Sequence, residues 1–281
     1  MSTAVLLVVL VAALAHAIQN CALRASPDPL AASLMLPIAA GALTLPLLFH
    51  LGIPPEITWP WLATSALLNL VYWVALGRAY AAAEVGLVFP LARGLIPLLV
   101  LPGAIAILGE VPTAEEAVVI AVVISGLVLV VATHDAWRGA GNKRTLTLCL
   151  VVAASAAGFM ICDGVGVRIS GSPLHYVAAL YTLNAAVVGL YAGVKQRGRM
   201  IAALPGGLPS AFCWGAISLT AYGGVAWAMS QAPLAIVAAL RESSVIFAAL
   251  LATIWLREPL RPARLAGAGL VGLGLVMLRA L

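Results

Sequence analysis

Arg24-Ala25-Ser26-Pro27-Asp28-Pro29-Leu30 returns 144 positions later as Arg168-Ile169-Ser170-Gly171-Ser172-Pro173-Leu174. The arginine, the serine, the second proline and the leucine recur without a gap. A second register, offset by 148, carries Arg93 onto Arg241, Glu110 onto Glu258, and Gly126-Leu127-Val128 onto Gly274-Leu275-Val276. The two registers follow one another in the same order in each half. The chain therefore reads as a duplication: a first repeat over 1–133, a polar linker over 134–144 and a second repeat over 145–281. What fills each repeat decides the fold.

Each repeat is filled with apolar runs. Of 281 residues, 63% are hydrophobic and only 9% charged, with a mean hydropathy of +1.10. No soluble domain of this size hides so much apolar surface. One helical crossing needs about 20 apolar residues. Cutting the chain at charged and Pro/Gly-rich breaks yields ten such runs: 3–23, 30–51, 60–81, 85–108, 113–133, 145–168, 174–194, 209–230, 234–256 and 262–280. Lipid offers backbone groups no hydrogen-bond partner, so long continuous runs must be helices, and a barrel is excluded. Five crossings per repeat is an odd number, so the halves enter the bilayer from opposite faces. Inverted repeats that meet at the midplane are a common way to build alternating access. The expected fold is an all-α membrane protein, with ten transmembrane helices arranged as two inverted five-helix repeats around a central cavity.

The first run imitates a signal peptide, with Ala15-His16-Ala17 as a mock cleavage site. It lacks a positive leading region, and its counterpart at 145–168 lies mid-chain, so it is read as a retained helix. Cys21, Cys149, Cys162 and Cys213 show no Cys-x-x-Cys spacing and are read as packing residues, with no disulfide framework or metal site. The net charge of +5 matters through its placement and is no nucleic-acid signal. Loops after odd-numbered spans hold Arg24, Arg78, Arg138, Lys143, Arg144, Lys195, Arg197, Arg199, Arg257, Arg261 and Arg264. Loops after even-numbered spans, with the termini, hold only Arg168 and Arg279. The positive-inside rule then puts the odd loops in the cytoplasm and both termini outside, in the periplasm of an inner-membrane protein.

Ser26-Pro27-Asp28-Pro29, Pro54-Pro55-Glu56 and Pro205-Gly206-Gly207-Leu208-Pro209 are expected connectors. Gly267-x-Gly269-x-x-Gly272-x-Gly274 resembles a nucleotide fingerprint. It follows no strand and lies inside a span, so close helix packing is the better reading.

Polar groups inside a bilayer are costly and tend to face a cavity or a partner helix. Span 1 aligns His16, Gln19 and Asn20 on one face. Span 3 does the same with Asn69, Tyr72 and Trp73, span 7 with Tyr181 and Asn184, and span 8 with Trp214, Ser218 and Tyr222. Four such stripes predict one shared chamber; interhelical hydrogen bonding is the alternative. Arg93, Arg241 and Asp163 are membrane-embedded charges. The repeat relation predicts that the two arginines lie toward opposite mouths, holding a substrate carboxylate or gating each end. Since neighbours at i, i+1 do not face each other, Glu242 is not expected to pair with Arg241. A structural pair with Asp163 is the alternative role for an arginine. Glu110 and Glu258 are read as helix ends and interfacial anchors. No catalytic triad, phosphate loop or metal-ligand cluster is present, which points away from an enzyme and from any cofactor.

Pro97 followed by Gly109-Glu110, and Glu258-Pro259-Leu260 closing span 9, resemble the EamA-type proteins of the drug/metabolite transporter superfamily. The resemblance runs through the whole chain. Val245 replaces the second proline and Arg257 the second glycine, so a helix-breaking device is expected to be missing from span 9. Many members place positive charge in the even loops; this sequence does the reverse. Glu84-Val85-Gly86 is similar to the opening of span 4 in aromatic amino acid exporters of the YddG type. The resemblance implies export of small organic solutes, most readily amino acids, with lipid and a small-molecule substrate as the partners. The alternatives are export of other metabolites or cationic drugs, and a non-transporting scaffold.

Overall fold

The structure is a computed structural model describing residues 2–132, 143–255, 257 and 262–280. The linker residues 134–142 and Glu258-Pro259-Leu260 lie outside the described residues. Every regular element described is helical: α1 (Thr3–Ala25), α2 (Pro29–Leu51), α3 (Trp59–Ala82), α4 (Val85–Gly94), α5 (Ile96–Gly103), α6 (Ala114–Ala132), α7 (Lys143–Ser170), α8 (Pro173–Lys195), α9 (Arg197–Gln231), α10 (Leu234–Arg241), α11 (Ser244–Ile254) and α12 (Pro262–Ala280). A 3-10 turn (Glu56–Thr58) leads into α3, and a wide turn (Ala104–Leu108) extends α5. Eight helical stretches among the described residues are long and apolar enough to cross a membrane.

The repeated motif starts the same element twice. Asp28 accepts the Ala31 N–H at 3.0 Å, and Ser172 accepts the His175 N–H at 3.4 Å. Pro29 and Pro173 each open a helix, where a missing N–H costs nothing. Both helices then run for 23 residues.

Span 4 is two helices, α4 and α5, broken at Leu95 just before Pro97. Span 9 is also two helices, α10 and α11, although no proline is present; the expected loss of its break does not occur. Ser243 supplies the break instead, its Oγ bonding the Leu240 carbonyl at 2.8 Å. The N–H groups of Glu242 and Ser243 turn back three residues, to Ala239 and Leu240, at 3.1 Å each. Tightened i→i−3 bonding of this kind ends an α-helical run. The missing glycine is also bypassed: Arg257 adopts φ +56, beside the φ +67 of Gly109 148 positions earlier.

A second correction concerns Pro205-Gly206-Gly207-Leu208-Pro209, expected to be a connector. Pro205 and Pro209 lie inside α9, which begins at Arg197. A proline frees the carbonyl four residues back, here those of Ile201 and Pro205. Both residues are exposed, so no packed neighbour is displaced where the prolines bend the helix.

Helices pair across the halves. α2 packs on α8, α6 on α12, α3 on α7 and α1 on α9. Glycine permits the closest crossings. A Cβ on Gly41 of α2 would run into Ala185 and the Tyr181 carbonyl of α8. One on Gly126 of α6 would come within 2.7 Å of the Gly267 carbonyl of α12. The glycine run of the last helix thus serves packing.

Candidate functional site

At the centre of the bundle a cavity of about 50 Å³ is walled by α1, α3, α4, α7, α8, α9 and α10. His16 and Gln19 reach it from α1, Asn69, Tyr72 and Trp73 from α3, and Arg93 from α4. Tyr181 and Asn184 enter from α8, Ser218 and Tyr222 from α9, and Arg241 from α10. Helical spacing of three or four residues puts each stripe on one face, and packing turns those faces toward each other.

Three expected residues sit elsewhere. Asn20 lies one position past the chamber-facing residues of α1. Its Oδ1 accepts the Tyr80 hydroxyl at 2.7 Å, and its amide bonds the His16 carbonyl at 2.7 Å; it ties α1 to α3. Trp214, two turns before Tyr222 along α9, borders a separate groove of about 730 Å³ at the α1–α2 end of the bundle. Asp163 stands behind the wall, accepting the Tyr176 hydroxyl at 2.9 Å and the Tyr222 hydroxyl.

The two arginines have different surroundings. Arg93 is held by Glu242 through one hydrogen bond and an ion contact: Nε donates to Oε2 at 3.2 Å, and Nη2 lies 3.1 Å from Oε1. Asp163 is therefore not the ion-pair partner of either arginine. Arg241 forms no ion pair with a carboxylate among the described residues. Its guanidinium lies 5.5 Å from the Tyr222 ring centroid, and its Nη1 is buried without a hydrogen-bond partner. Glu242 cannot serve it because it is the adjacent residue and points to α4. Nor do the arginines lie toward opposite mouths, since both reach one cavity. Each ends the first piece of a broken helix, and the two breaks meet in the middle of the bundle.

Aromatic rings fill much of the wall. Tyr72 meets Trp73 and Phe159 edge-on, at centroid separations of 5.1 and 5.5 Å. Tyr222 joins Phe159 and Tyr181 at 6.3 and 6.1 Å. The Tyr181 hydroxyl is anchored to the Ser218 backbone and side chain, at 3.2 Å each. Asn184 Oδ1 and His16 Nε2 are buried without hydrogen-bond partners. The chamber thus offers a free guanidinium donor, a free amide oxygen, an unpaired imidazole nitrogen and flat apolar faces together. Sequence reasoning missed Phe159 and the role of Glu242. Phe159 is a lone large ring among the small residues of α7, and Glu242 is the buried acid that a buried Arg93 requires.

Glu110, expected to be an interfacial anchor, makes a clasp at one end of the bundle. Oε1 lies 2.7 Å from Arg168 Nη2, while Oε2 accepts the Leu234 N–H at 2.7 Å. Arg168 also donates to the Ala232 carbonyl at 3.1 Å. The end of span 4, the end of α7 and the start of α10 are locked together there. Among the described residues no three His, Cys, Asp or Glu side chains converge as a metal site requires.

A family model for EamA-like transporters matches over positions 143–280. Residues 143–280 are thus similar to the EamA-like transporter family, which is consistent with the drug/metabolite transporter superfamily. An EamA-like domain implies a multi-pass membrane transporter that takes small solutes from or into a lipid bilayer's flanking solutions. No curated protein matches the chain. A solved structure, described only as the crystal structure of a protein, superposes with a TM-score of 0.70 at 16% identity. It covers 100% of this chain and 98% of its own. At that identity the likeness concerns the fold alone.

Proposed function

We propose that this EamA-like protein is an inner-membrane exporter of amino acids, with those bearing aromatic side chains favoured, and that the solute sits in the central chamber. The observation that carries this reading is Arg241: a buried guanidinium with a free Nη1 and no acidic partner among the described residues. A buried charge in a membrane bundle is expensive unless matched, and a solute carboxylate would match it with charge-assisted bonds. Asn184 Oδ1 is free to accept from the solute ammonium, and so is His16 Nε2 when the ring proton sits on Nδ1. The rings of Tyr72, Phe159 and Tyr222 would take the side chain.

The motion we infer is alternating access between two inverted five-helix halves, 1–133 and 145–281, giving ten crossings around the 134–144 linker. Coincident bounds support it: α2 and α8 begin 144 positions apart and have equal length, and α5 and α11 begin 148 apart. Helix pairings are also reciprocal, α3–α7 in one sense and α9–α1 in the other. A cavity of about 50 Å³ holds roughly one or two waters at ~30 Å³ each, so the chamber must widen to admit an amino acid. The Glu110–Arg168 clasp shuts the face expected to be periplasmic. Charge placement supports cytoplasmic odd loops and periplasmic termini.

Export of cationic drugs would need an acid open to the chamber. Asp163 is engaged by two tyrosines outside it, which weighs against that reading. Purified protein in liposomes, preloaded with unlabelled amino acids, tests the proposal by counterflow of labelled L-phenylalanine. Accumulation that L-phenylalanine competes away and phenethylamine does not would support it. No counterflow for any amino acid would reject it.

A further inference from the structure

The solute site leaves Asp163 without a task, yet this carboxylate is wired to the chamber. Asp163 is fully buried in α7. Two hydroxyls converge on it: Tyr176 from α8 and Tyr222 from α9. Among the described residues it forms no ion pair. The cation that faces it is Arg241 of α10, which lies against the ring of Tyr222. Cys162 is its one titratable neighbour on α7 itself. A hydrogen-bonded route leads from it to the chamber through Tyr222, whose ring is part of the wall.

Charge balance then suggests the purpose. In the empty chamber Arg93 and Glu242 neutralise each other directly. Arg241 and Asp163 face each other across a single tyrosine. A solute carboxylate on Arg241 takes over the balancing role and leaves Asp163 as an uncompensated buried anion, an arrangement that proteins avoid. We propose that Asp163 is a proton-binding site which fills when a carboxylate occupies Arg241, so that proton and solute cross the membrane together. A hydronium ion in the chamber gives its proton to the Tyr222 oxygen while Tyr222 passes its own to Asp163 Oδ2. Water remains, the tyrosine ends as neutral as it began, and Asp163 becomes a neutral acid. Release on the far side runs the same transfers backwards. Linkage makes the effect mutual: a proton on Asp163 raises solute affinity by the factor by which solute raises proton affinity. Outward flow down the solute's own gradient would carry protons out with it.

The coupling rests on the amino acid reading, whereas the proton site does not, and two measurements separate them. Infrared pH titration of the purified protein should reveal a protonated-carboxyl band that titrates in the wild type and is missing from Asp163→Asn. Its persistence unchanged in that variant would overturn the proton site whatever the substrate. Proteoliposomes holding a trapped pH dye should then acidify as L-phenylalanine enters. Tyr222→Phe, which keeps the carboxylate and removes the relay hydroxyl, should lower the protons moved per phenylalanine even if Asp163→Asn fails to fold. Phenylalanine entry without pH change, or with alkalinisation, would overturn the coupling. Absence of phenylalanine flux in the wild type would reject the solute reading, leaving the proton site to the infrared result.

Discussion

Removing the Arg93 side chain should unfold the protein more readily than removing that of Arg241, although the two occupy matching repeat positions. The difference follows from their partners. Arg93 is 4% exposed and Glu242 is 0% exposed, and the two form an ion pair with one hydrogen bond. Arg93→Ala leaves the Glu242 carboxylate buried and uncompensated, which costs about 3–5 kcal/mol where a buried pair is broken. Against a total stability of roughly 5–15 kcal/mol that is a large share. In a chain of this size it corresponds to a fall in melting temperature on the order of 10 °C. Arg241→Ala breaks no direct ion pair, and Asp163, which faces Arg241 across Tyr222, can take up a proton in its place, so this variant should melt closer to wild type than Arg93→Ala. Detergent-purified variants followed by tryptophan fluorescence on heating give both numbers. Arg93→Ala with Glu242→Ala removes both charges and should recover much of the loss, giving a coupling energy of the order of 1–3 kcal/mol in a double-mutant cycle. Equal melting temperatures for Arg93→Ala and Arg241→Ala, or strict additivity in the double variant, would refute the assignment of Glu242 to Arg93 alone.

Further outcomes are expected. Arg257→Gly should raise the melting temperature modestly, because relief of about 1–2 kcal/mol of left-handed strain exceeds the entropy that glycine adds to the unfolded chain, about 0.4–1 kcal/mol; a lower melting temperature would show that the Arg257 side chain holds something the backbone does not. Gly126→Val forces a side chain toward the Gly267 carbonyl, 2.7 Å from where its Cβ would stand, and should cost roughly 1–3 kcal/mol in the same melt. A single cysteine at Gln196, in a background lacking native ones, should resist an impermeant maleimide added to whole cells, while one at Gly52 should react; the reverse pattern would invert the proposed orientation.

Much of this was legible because the bilayer makes two kinds of signal loud. Apolar length gives the spans, and any polar side chain within them has few permitted positions. That is why the stripes of His16–Gln19, Asn69–Tyr72–Trp73 and Ser218–Tyr222 meet at one chamber. Spacing fixes a face but not how a helix is rolled against its neighbours. Asn20 and Trp214 carried the same pattern and were turned elsewhere by packing, Asn20 toward Tyr80. The missed features depend on side-chain geometry rather than residue type. Ser243 breaks a helix by a hydroxyl bond to Leu240, where a search for proline sees nothing. Glu242 reaches Arg93 from 149 residues away, and only the meeting of the two helix breaks brings them together. The stretch 205–209 looked like a turn because Pro and Gly are counted as breakers, yet each proline removes a single backbone hydrogen bond and the helix runs through both.

The central claim is that Arg241 holds the solute carboxylate, and comparing substrates across one substitution tests it most directly. Counterflow competition would be measured with L-phenylalanine and with L-phenylalaninamide, which keeps the ring and the amino group but lacks the carboxylate. Wild-type protein should favour the acid strongly. Arg241→Lys, which keeps charge but loses the planar fork, should weaken that preference, and Arg241→Ala should abolish it at a cost of about 2–5 kcal/mol, roughly 30-fold or more in apparent affinity. A folded Arg241→Ala protein that still prefers the acid to the amide as wild type does would contradict the account.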